Sequence, residues 1–147
     1  MRKKRVLILC TGNSARSQMA EGLLRHEGGP TYEVHSAGLL PTAVRPEAIQ
    51  AMSEIGIDIR GHSSKSVDQF IGQDFDSVIT VCDNANERCP VFPGKTERIH
   101  KCFEDPPAQD VGSEEYRLNI FRRLRDEMQE WIREWVAGNR VTHPGTK

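Results

Sequence analysis

Short apolar runs alternate along this chain with stretches whose apolar residues recur every three or four positions. The first pattern is typical of buried strands and the second of amphipathic helices. Together they predict strands over residues 5–9, 32–36, 75–81 and 98–100. Helices are predicted over residues 15–26, 46–55, 66–71 and 114–137. Because strands and helices alternate, we expect an α/β fold with a four-stranded parallel sheet and helices on both of its faces.

Length and charge limit the classes of function. The 147 residues include 20 basic and 21 acidic side chains, which give a net charge of -1 and no broad positive field for nucleic acid. No segment approaches the roughly 18 apolar residues of a membrane span, and no apolar run follows the basic start as in a signal peptide. We therefore expect one domain over residues 1–147, monomeric and cytoplasmic, with no nucleic-acid or membrane partner. The tail after about residue 138 has no apolar pattern and is expected to fray.

Four cysteines carry the candidate chemistry: Cys10, Cys82, Cys89 and Cys102. Without a signal peptide, catalysis, redox cycling or metal binding is a better reading than two structural disulfides. Cys10 and Cys82 each follow a predicted strand, and the C-terminal ends of parallel strands share one edge of the sheet, so we expect the fold to bring them together. Two alternatives stay open. The thiols could be inert and buried, or Cys82, Cys89 and Cys102 could bind zinc with His100, although the short cysteine pair of structural zinc sites is lacking.

The segment from Cys10 to Ser17 predicts an anion-binding loop between a strand and a helix. Backbone N–H groups in such a loop lie at the positive end of the helix dipole, where they can hold a tetrahedral oxyanion. The loop residues are Thr11, Gly12, Asn13, Ser14, Ala15 and Arg16. A Cys10 thiol among these groups is expected to ionise readily. The pattern therefore favours a thiolate nucleophile aimed at an oxyanion, with Arg16 binding two of its oxygens; a buried structural cysteine is the alternative.

The same residues resemble those of a known family. The Cys10–Ser17 segment is similar to the C-x5-R-S loop of the low-molecular-weight protein tyrosine phosphatases, and the chain more closely resembles the thioredoxin-coupled arsenate reductases of that fold. Further matching segments are residues 17–22, 36–38, 81–85, 89–90 and 103–106. The similarity runs in order from about Lys4 to the end of the long C-terminal helix.

The resemblance implies the first chemical step. Cys10 would attack arsenate held by the loop amides and Arg16, and form a thiol–arsenate adduct. Ser17 would stabilise the Cys10 thiolate through its hydroxyl, and Asp105 would be the general acid for the departing oxygen. Phosphate and sulfate have a similar shape and charge and are expected to enter the same loop.

The resemblance further implies a relay of three cysteines. Cys82 would attack Cys10 and release arsenite, and Cys89 would then attack Cys82 to leave a disulfide for thioredoxin to reduce. Seven residues of helix rise about 10.5 Å, whereas a disulfide needs Cα atoms about 4.4–6.8 Å apart. If residues 82–89 are helical when reduced, oxidation must therefore unwind them. Their polar composition and Pro90 suit such a change.

Two positions differ from the family pattern. Relatives bind potassium near the positions of Asn13, Glu21 and Ser36, with an acidic residue where Lys65 stands here. A lysine ammonium could supply that positive charge, which argues against a potassium requirement, so no bound cofactor or metal is expected. Cys102 replaces the more usual glycine, and its role stays open, as does the choice among thioredoxin, glutaredoxin and mycothiol as reductant.

Two other functions stay open beside arsenate reduction. A tyrosine phosphatase would use Cys10, Arg16 and Asp105 through a phosphocysteine, and the loop cannot distinguish phosphate from arsenate. Pro107 stands where such phosphatases tend to have an aromatic residue, which slightly disfavours this function. A non-catalytic anion or redox sensor would use only the Cys82 and Cys89 pair.

Overall fold

The computed structural model describes residues 2–141 and has a four-stranded parallel sheet at its centre. The strand order is β2-β1-β3-β4. The strands are β1 (Lys4–Cys10), β2 (Tyr32–Gly38), β3 (Ser77–Thr80) and β4 (Glu97–His100). The helices are α1 (Arg16–Gly28), α2 (Pro46–Ser53), α3 (Asp83–Glu87) and α4 (Glu114–Val141), and 3-10 turns cover Gly29–Thr31 and Val67–Gln69.

Both faces of the sheet are covered. Tyr32 and His35 lie on opposite faces of β2, because successive side chains of a strand alternate. The Tyr32 ring centroid is 5.7 Å from that of Trp135 in α4, against which α1 and α2 also pack. The His35 ring centroid is 5.3 Å from that of Phe70, which follows the Val67–Gln69 turn. The predicted parallel sheet with helices on both faces is confirmed, with a 3-10 helix among the elements that cover the second face.

The central strand sets the position of the loop that follows it. Val6, Leu7 and Leu9 are fully buried, as expected of a parallel strand covered on both faces. At the end of β2, Gly38 passes so close to this loop that a Cβ atom would lie 2.7 Å from the Thr11 carbonyl oxygen. A glycine is therefore required where the two segments meet.

Several predicted boundaries are wrong. Strand β3 covers only Ser77–Thr80 and is shorter than the predicted residues 75–81, although the Asp76 and Val81 amides still donate to the Arg5 and Leu9 carbonyls of β1, at 2.9 and 3.0 Å. The helix predicted at 66–71 is a single 3-10 turn, capped at its N-terminus by the Ser66 hydroxyl, which accepts a hydrogen bond from the Asp68 amide. Helix α1 continues to Gly28, two residues beyond its predicted end.

Helix α4 is longer than predicted and passes through Gly138 to Val141. One glycine costs a helix about 1 kcal/mol and does not end it unless the chain turns there. The rest of the tail predicted to fray, residues 142–147, lies outside the described residues. No helix within residues 2–141 is both long and apolar enough to cross a membrane.

Candidate active site

The loop between β1 and α1 forms the floor of a pocket at the C-terminal edge of the sheet. The buried Cys10 ends β1, and Arg16 begins α1. The pocket has a volume of about 270 Å³ and is lined by Cys10, Thr11, Gly12, Ser14, Ala15, Arg16, Arg45, Asp105 and Pro106. Of the predicted loop residues, only Asn13 does not line it.

Hydrogen bonds from the segment after β2 turn the loop carbonyls away from the pocket. The amides of Leu39, Leu40, Thr42 and Arg45 donate to the carbonyls of Cys10, Thr11, Gly12 and Ser14, at 2.8–3.3 Å. Since these carbonyls are directed outward, their oxygens do not repel an anion in the pocket. The loop can then present its backbone amides to the anion. This is the arrangement expected of an anion-binding nest.

The side chain of Asn13 fixes the loop from beneath. Asn13 is fully buried and has a φ of 48°, a left-handed conformation that asparagine tolerates better than most residues. Its amide nitrogen donates to the hydroxyls of Ser17 at 2.8 Å and Ser36 at 3.0 Å. Its side-chain oxygen accepts from the Lys65 amide at 2.8 Å. The Ser17 hydroxyl is thus part of the loop support, and its predicted effect on Cys10 stays a prediction.

Arg16 and Asp105, predicted from positions 89 residues apart, meet at the pocket. The Arg16 guanidinium is 3.3 Å from the Asp105 carboxylate and donates to the Phe103 carbonyl at 3.2 Å. The Arg16 side chain is 11% exposed and that of Asp105 is 83% exposed. The carboxylate therefore stands at the open mouth, where a departing oxygen would receive a proton.

Cys82 meets the loop from the adjacent strand and caps α3. Its sulfur accepts a hydrogen bond from the Ala85 amide at 3.4 Å and lies 3.4 Å from the Thr11 hydroxyl. The Asn84 side-chain amide donates to that hydroxyl at 3.1 Å. The hydroxyl proton of Thr11 is therefore free to point at Cys82.

Cys10 and Cys82 interact, so their ionisation is linked. The interaction with Cys10, helped by Thr11 and Ala85, lowers the pKa of Cys82 to about 5. The same interaction and burial raise the pKa of Cys10, against the opposing effect of Arg16. The lowered pKa is a property of the pair, which holds one thiolate at the anion loop, and the ready ionisation of Cys10 stays a prediction. Transfer of the Cys10 proton to Cys82 would make Cys10 the thiolate.

The other two thiols lie outside the pocket. Cys89 is half-buried and follows α3, and burial raises its pKa. Cys102 lies just after β4 and is exposed. Its pKa is also raised, by partial desolvation of the thiol and by the negative charge of Asp83. All four cysteines are reduced. Helix α3 lies between Cys82 and Cys89, so the predicted disulfide requires it to move.

Asn13, Glu21 and Ser36, the residues of the candidate cation site, lie together with Lys65 beneath the loop. The Ser36 hydroxyl donates to Glu21 at 2.5 Å. The same carboxylate is 2.7 Å from the Arg25 guanidinium and 3.9 Å from the Lys65 ammonium. Two cations already neutralise Glu21, so these residues do not fit a potassium ion. Within residues 2–141, no cluster of three or more histidine, cysteine or acidic side chains could hold a metal ion.

Three contributors to the site were missed from the sequence. Thr11 was chosen for its amide, and its hydroxyl contact with Cys82 could not be foreseen. Asn84 orients that hydroxyl from α3. Arg45 was assigned no role and lies outside the predicted strands and helices, yet it lines the pocket. No spacing signal marks these side chains, because each acts through a contact between distant segments.

Nearly the whole chain matches one known family. A sequence profile of the low molecular weight phosphotyrosine protein phosphatases matches residues 5–143. The chain belongs to this family, and the fold described above is the fold of its solved members.

Within the family, the chain is similar to arsenate reductases. The arsenate reductase of Halalkalibacterium halodurans is 45% identical over 92% of this chain and 97% of its own length. A solved arsenate reductase in its phosphate-binding state is 34% identical with a TM-score of 0.74, over 92% of this chain and 98% of that one. A thioredoxin-dependent arsenate reductase of Corynebacterium glutamicum is 26% identical with a TM-score of 0.72, over 96% of this chain and 64% of that one. The resemblance indicated by the sequence motifs is confirmed.

Proposed function

We propose that this chain is an arsenate reductase that uses Cys10, Cys82 and Cys89 in turn and is regenerated by thioredoxin. The observation that carries the proposal is the position of the buried Cys82 sulfur, which lies 3.4 Å from the hydroxyl of Thr11, the loop residue next to Cys10. A phosphatase needs a nucleophile, an arginine and an acid. A second buried thiol beside the anion loop is required when the nucleophile must become oxidised.

In the first step, the loop amides and Arg16 hold arsenate while the Cys10 thiolate attacks arsenic. A bond forms between sulfur and arsenic, and one arsenate oxygen leaves as water after Asp105 supplies a proton. Arsenic remains pentavalent in the adduct. Arg16 can bind two oxygens of the anion, which orients the departing oxygen towards the mouth where Asp105 stands.

In the second step, the Cys82 thiolate attacks the sulfur of Cys10. A disulfide forms between the two cysteines, the bond between sulfur and arsenic breaks, and its electron pair stays with arsenic. Pentavalent arsenic is thereby reduced to arsenite while two thiolates are oxidised. Once Cys10 is bound to arsenic, Cys82 releases to solvent the proton that it took from Cys10, and Thr11 and the Ala85 amide stabilise the resulting thiolate for this attack.

In the third step, Cys89 attacks Cys82 and frees Cys10. The new disulfide requires α3 to unwind, and the helix has only five residues, of which Ala85 alone is buried. Thioredoxin then reduces the Cys82–Cys89 disulfide by thiol–disulfide exchange. The thioredoxin-dependent relative from Corynebacterium glutamicum supports this choice of reductant.

The test is arsenate reduction coupled to thioredoxin, thioredoxin reductase and NADPH. We expect Cys10→Ser, Cys82→Ser and Cys89→Ser each to abolish NADPH oxidation, whereas Cys102→Ser retains it. Mass spectrometry of the oxidised chain should find the Cys82–Cys89 disulfide. Full turnover by Cys82→Ser or Cys89→Ser would contradict the relay, and a Cys82–Cys102 link would identify a different resolving thiol.

A weak phosphatase activity is proposed as a side reaction of the same pocket. Two observations support it: Cys10, Arg16 and Asp105 line one pocket, and a related arsenate reductase has been solved in a phosphate-binding state. Cys10→Ser should abolish hydrolysis of an aryl phosphate, whereas Cys82→Ser should spare it. Hydrolysis that survives in Cys10→Ser would contradict a shared nucleophile.

A further inference from the structure

A second arginine, Arg45, reaches the anion pocket from the residue before α2, and the relay gives it no role. Its amide donates to the Ser14 carbonyl of the anion loop at 2.8 Å. Its guanidinium donates to the Pro107 carbonyl at 3.0 Å. Pro107 lies two residues after Asp105, so Arg45 joins the anion loop directly to the segment that carries the acid.

The Arg45 side chain is held on two further sides. Its Nε donates to the Glu47 carboxylate at 3.2 Å, and its guanidinium carbon lies 5.1 Å from the centroid of the buried Phe121 ring in α4. Only 13% of the Arg45 side chain is exposed, and only 8% of that of Glu47. An arginine fixed by a buried carboxylate and an aromatic ring has little freedom to follow a substrate.

Glu47 also binds a third residue, Arg117 of α4. The Arg117 Nε donates to the second Glu47 oxygen at 2.8 Å. Burial alone would raise the pKa of Glu47, but the hydrogen bonds from Arg45 and Arg117 outweigh it and hold the pKa below its usual range. The carboxylate is therefore charged, and it joins two guanidinium groups whose side chains are only 13% and 15% exposed.

Arg117 holds the far end of the acid-bearing segment. Its Nη1 donates to the Gly112 carbonyl at 2.8 Å and to the Val111 carbonyl at 3.2 Å. Residues 101–113 contain no helix or strand. The segment is thus held after Asp105 by Arg45 and again before α4 by Arg117.

We propose that Arg45, Glu47 and Arg117 form a clamp that positions Asp105 over the anion pocket. The Asp105 side chain is 83% exposed and pairs with Arg16 at 3.3 Å. The position of its carboxyl group relative to the bound anion therefore depends on where the backbone of residues 101–113 is held. A shift of about 1 Å in a catalytic group can cost on the order of 100-fold in rate. The clamp rests on the proposed function in one respect, because it gives Asp105 the role of general acid for the bound anion.

Arg45 is a positioning residue in this proposal, whereas a direct anion ligand would behave differently. Loss of a ligand raises KM for the anion, and its effect adds to that of removing the acid. Loss of a positioning residue lowers kcat, and the loss disappears once the acid is gone. Kinetics in two backgrounds therefore separate the two roles.

The kinetic test compares Arg45→Gln, Glu47→Gln and Arg45→Lys, with arsenate and with an aryl phosphate. We expect Arg45→Gln and Glu47→Gln to lower kcat by about 30-fold, within the range of a general acid, with KM changed by less than about twofold. Arg45→Lys should recover part of the loss. In the Asp105→Asn background, Arg45→Gln should cause no further loss. A raised KM with unchanged kcat, or additive losses, would overturn the clamp.

A control for the substitutions exists on the same two helices. Glu54 at the end of α2 binds Arg122 of α4 at 2.7 Å, which is a similar pair away from the pocket. Arg122→Gln should leave kcat and KM unchanged. If it lowers kcat as Arg45→Gln does, the effect comes from general loosening of α2 against α4, and the clamp is wrong.

A second measurement does not depend on any activity. The NMR order parameters of the backbone amides in residues 104–113 should fall from about 0.85 to below about 0.6 in Arg45→Gln and Arg117→Gln, and stay unchanged in Arg122→Gln. If the chain proves to reduce no arsenate and hydrolyse no phosphate, the proposed function fails while this result still decides the clamp. Unchanged order parameters would overturn the clamp even if the relay stands.

Discussion

The anion loop and the segment from Cys82 to Cys89 touch each other at the edge of the sheet, yet they are held in opposite ways. Four loop carbonyls are bound from outside, and the buried Asn13 fixes the loop from beneath. Helix α3, by contrast, has five residues and buries only Ala85. Binding a tetrahedral anion requires donors already in place, whereas passing a disulfide outward requires a segment that unwinds at low cost. The molecule separates these two needs between neighbouring segments.

The largest effect is expected where the rigid loop meets β2. In Gly38→Ala, the new Cβ would lie 2.7 Å from the Thr11 carbonyl oxygen and 2.8 Å from the Asn13 amide nitrogen. These are backbone atoms held by the bonds described above, so the loop itself would have to move. We expect the free energy of unfolding in urea to fall by about 3 kcal/mol, and kcat/KM for arsenate to fall by about 100-fold.

Gly61→Ala is the matched control for this prediction. No atom lies within 4 Å of a Cβ built on Gly61, so its stability should change by less than about 0.5 kcal/mol. If Gly38→Ala and Gly61→Ala lower the free energy of unfolding by the same amount, the loop adapts to its neighbours and is not rigid.

The next effect concerns the contact between the two regions, through the Thr11 hydroxyl. The pKa of Cys82 is about 5, so its thiolate persists as pH falls and is lost only below that value. Thr11→Val removes one hydrogen bond to the thiolate and should raise this pKa by about one unit. At a pH between the Cys82 pKa of the unmodified chain and that of Thr11→Val, iodoacetamide should alkylate Cys82 up to about tenfold more slowly in the variant. Well above both pKa values, the two chains should react at the same rate.

This pH profile is measured on Cys82 peptides by mass spectrometry, with Cys89 and Cys102 replaced by serine. Thr42→Val is the control, because the Thr42 hydroxyl contacts the Gly12 carbonyl and not a sulfur. An unchanged midpoint in Thr11→Val would mean that the hydroxyl does not stabilise the Cys82 thiolate.

The rigid region was largely predictable from the sequence. An apolar strand, a small polar loop and a helix with Arg16 at its start are local features, so Cys10 to Ser17 could be assigned without knowing the fold. The meeting of Cys10 with Cys82 followed from one topological rule, since parallel strands end at the same edge.

The contacts between distant segments could not be predicted. Arg45 binds Pro107 and Glu47 binds Arg117, and neither pair has a spacing that local periodicity can reveal. The linked ionisation of Cys10 and Cys82 depends on an interaction between side chains 72 positions apart, which local periodicity does not reveal. The length of α4 was underestimated because the residues after Gly138 have no apolar pattern, although the helix continues through them to Val141.

A smaller effect is expected in the segment from Cys82 to Cys89, where two substitutions at Asn86 should differ in the rate of disulfide formation. Asn86 is exposed within α3, and alanine there favours the helix over glycine by about 1 kcal/mol. If α3 must unwind before Cys89 reaches Cys82, the disulfide should form about fivefold faster in Asn86→Gly than in Asn86→Ala. Both variants lack the Asn86 side chain, so each controls for the other. Quenched single-turnover samples measure the rate by mass spectrometry, and equal rates would mean that unwinding does not limit the step.

The smallest effect is expected beneath the rigid loop, where Lys65 supplies a fixed positive charge. Glu21 is neutralised by Arg25 at 2.7 Å and by Lys65 at 3.9 Å, so no external cation is needed to balance it. Replacing potassium chloride with choline chloride at equal ionic strength should change kcat/KM for arsenate by less than about twofold. Lys65→Asp removes the cation and adds a carboxylate, so potassium should then activate the variant and choline should not. If the unmodified chain itself requires potassium, the Lys65 ammonium does not replace a bound cation beneath the anion loop. The loop would then depend on an ion from solution.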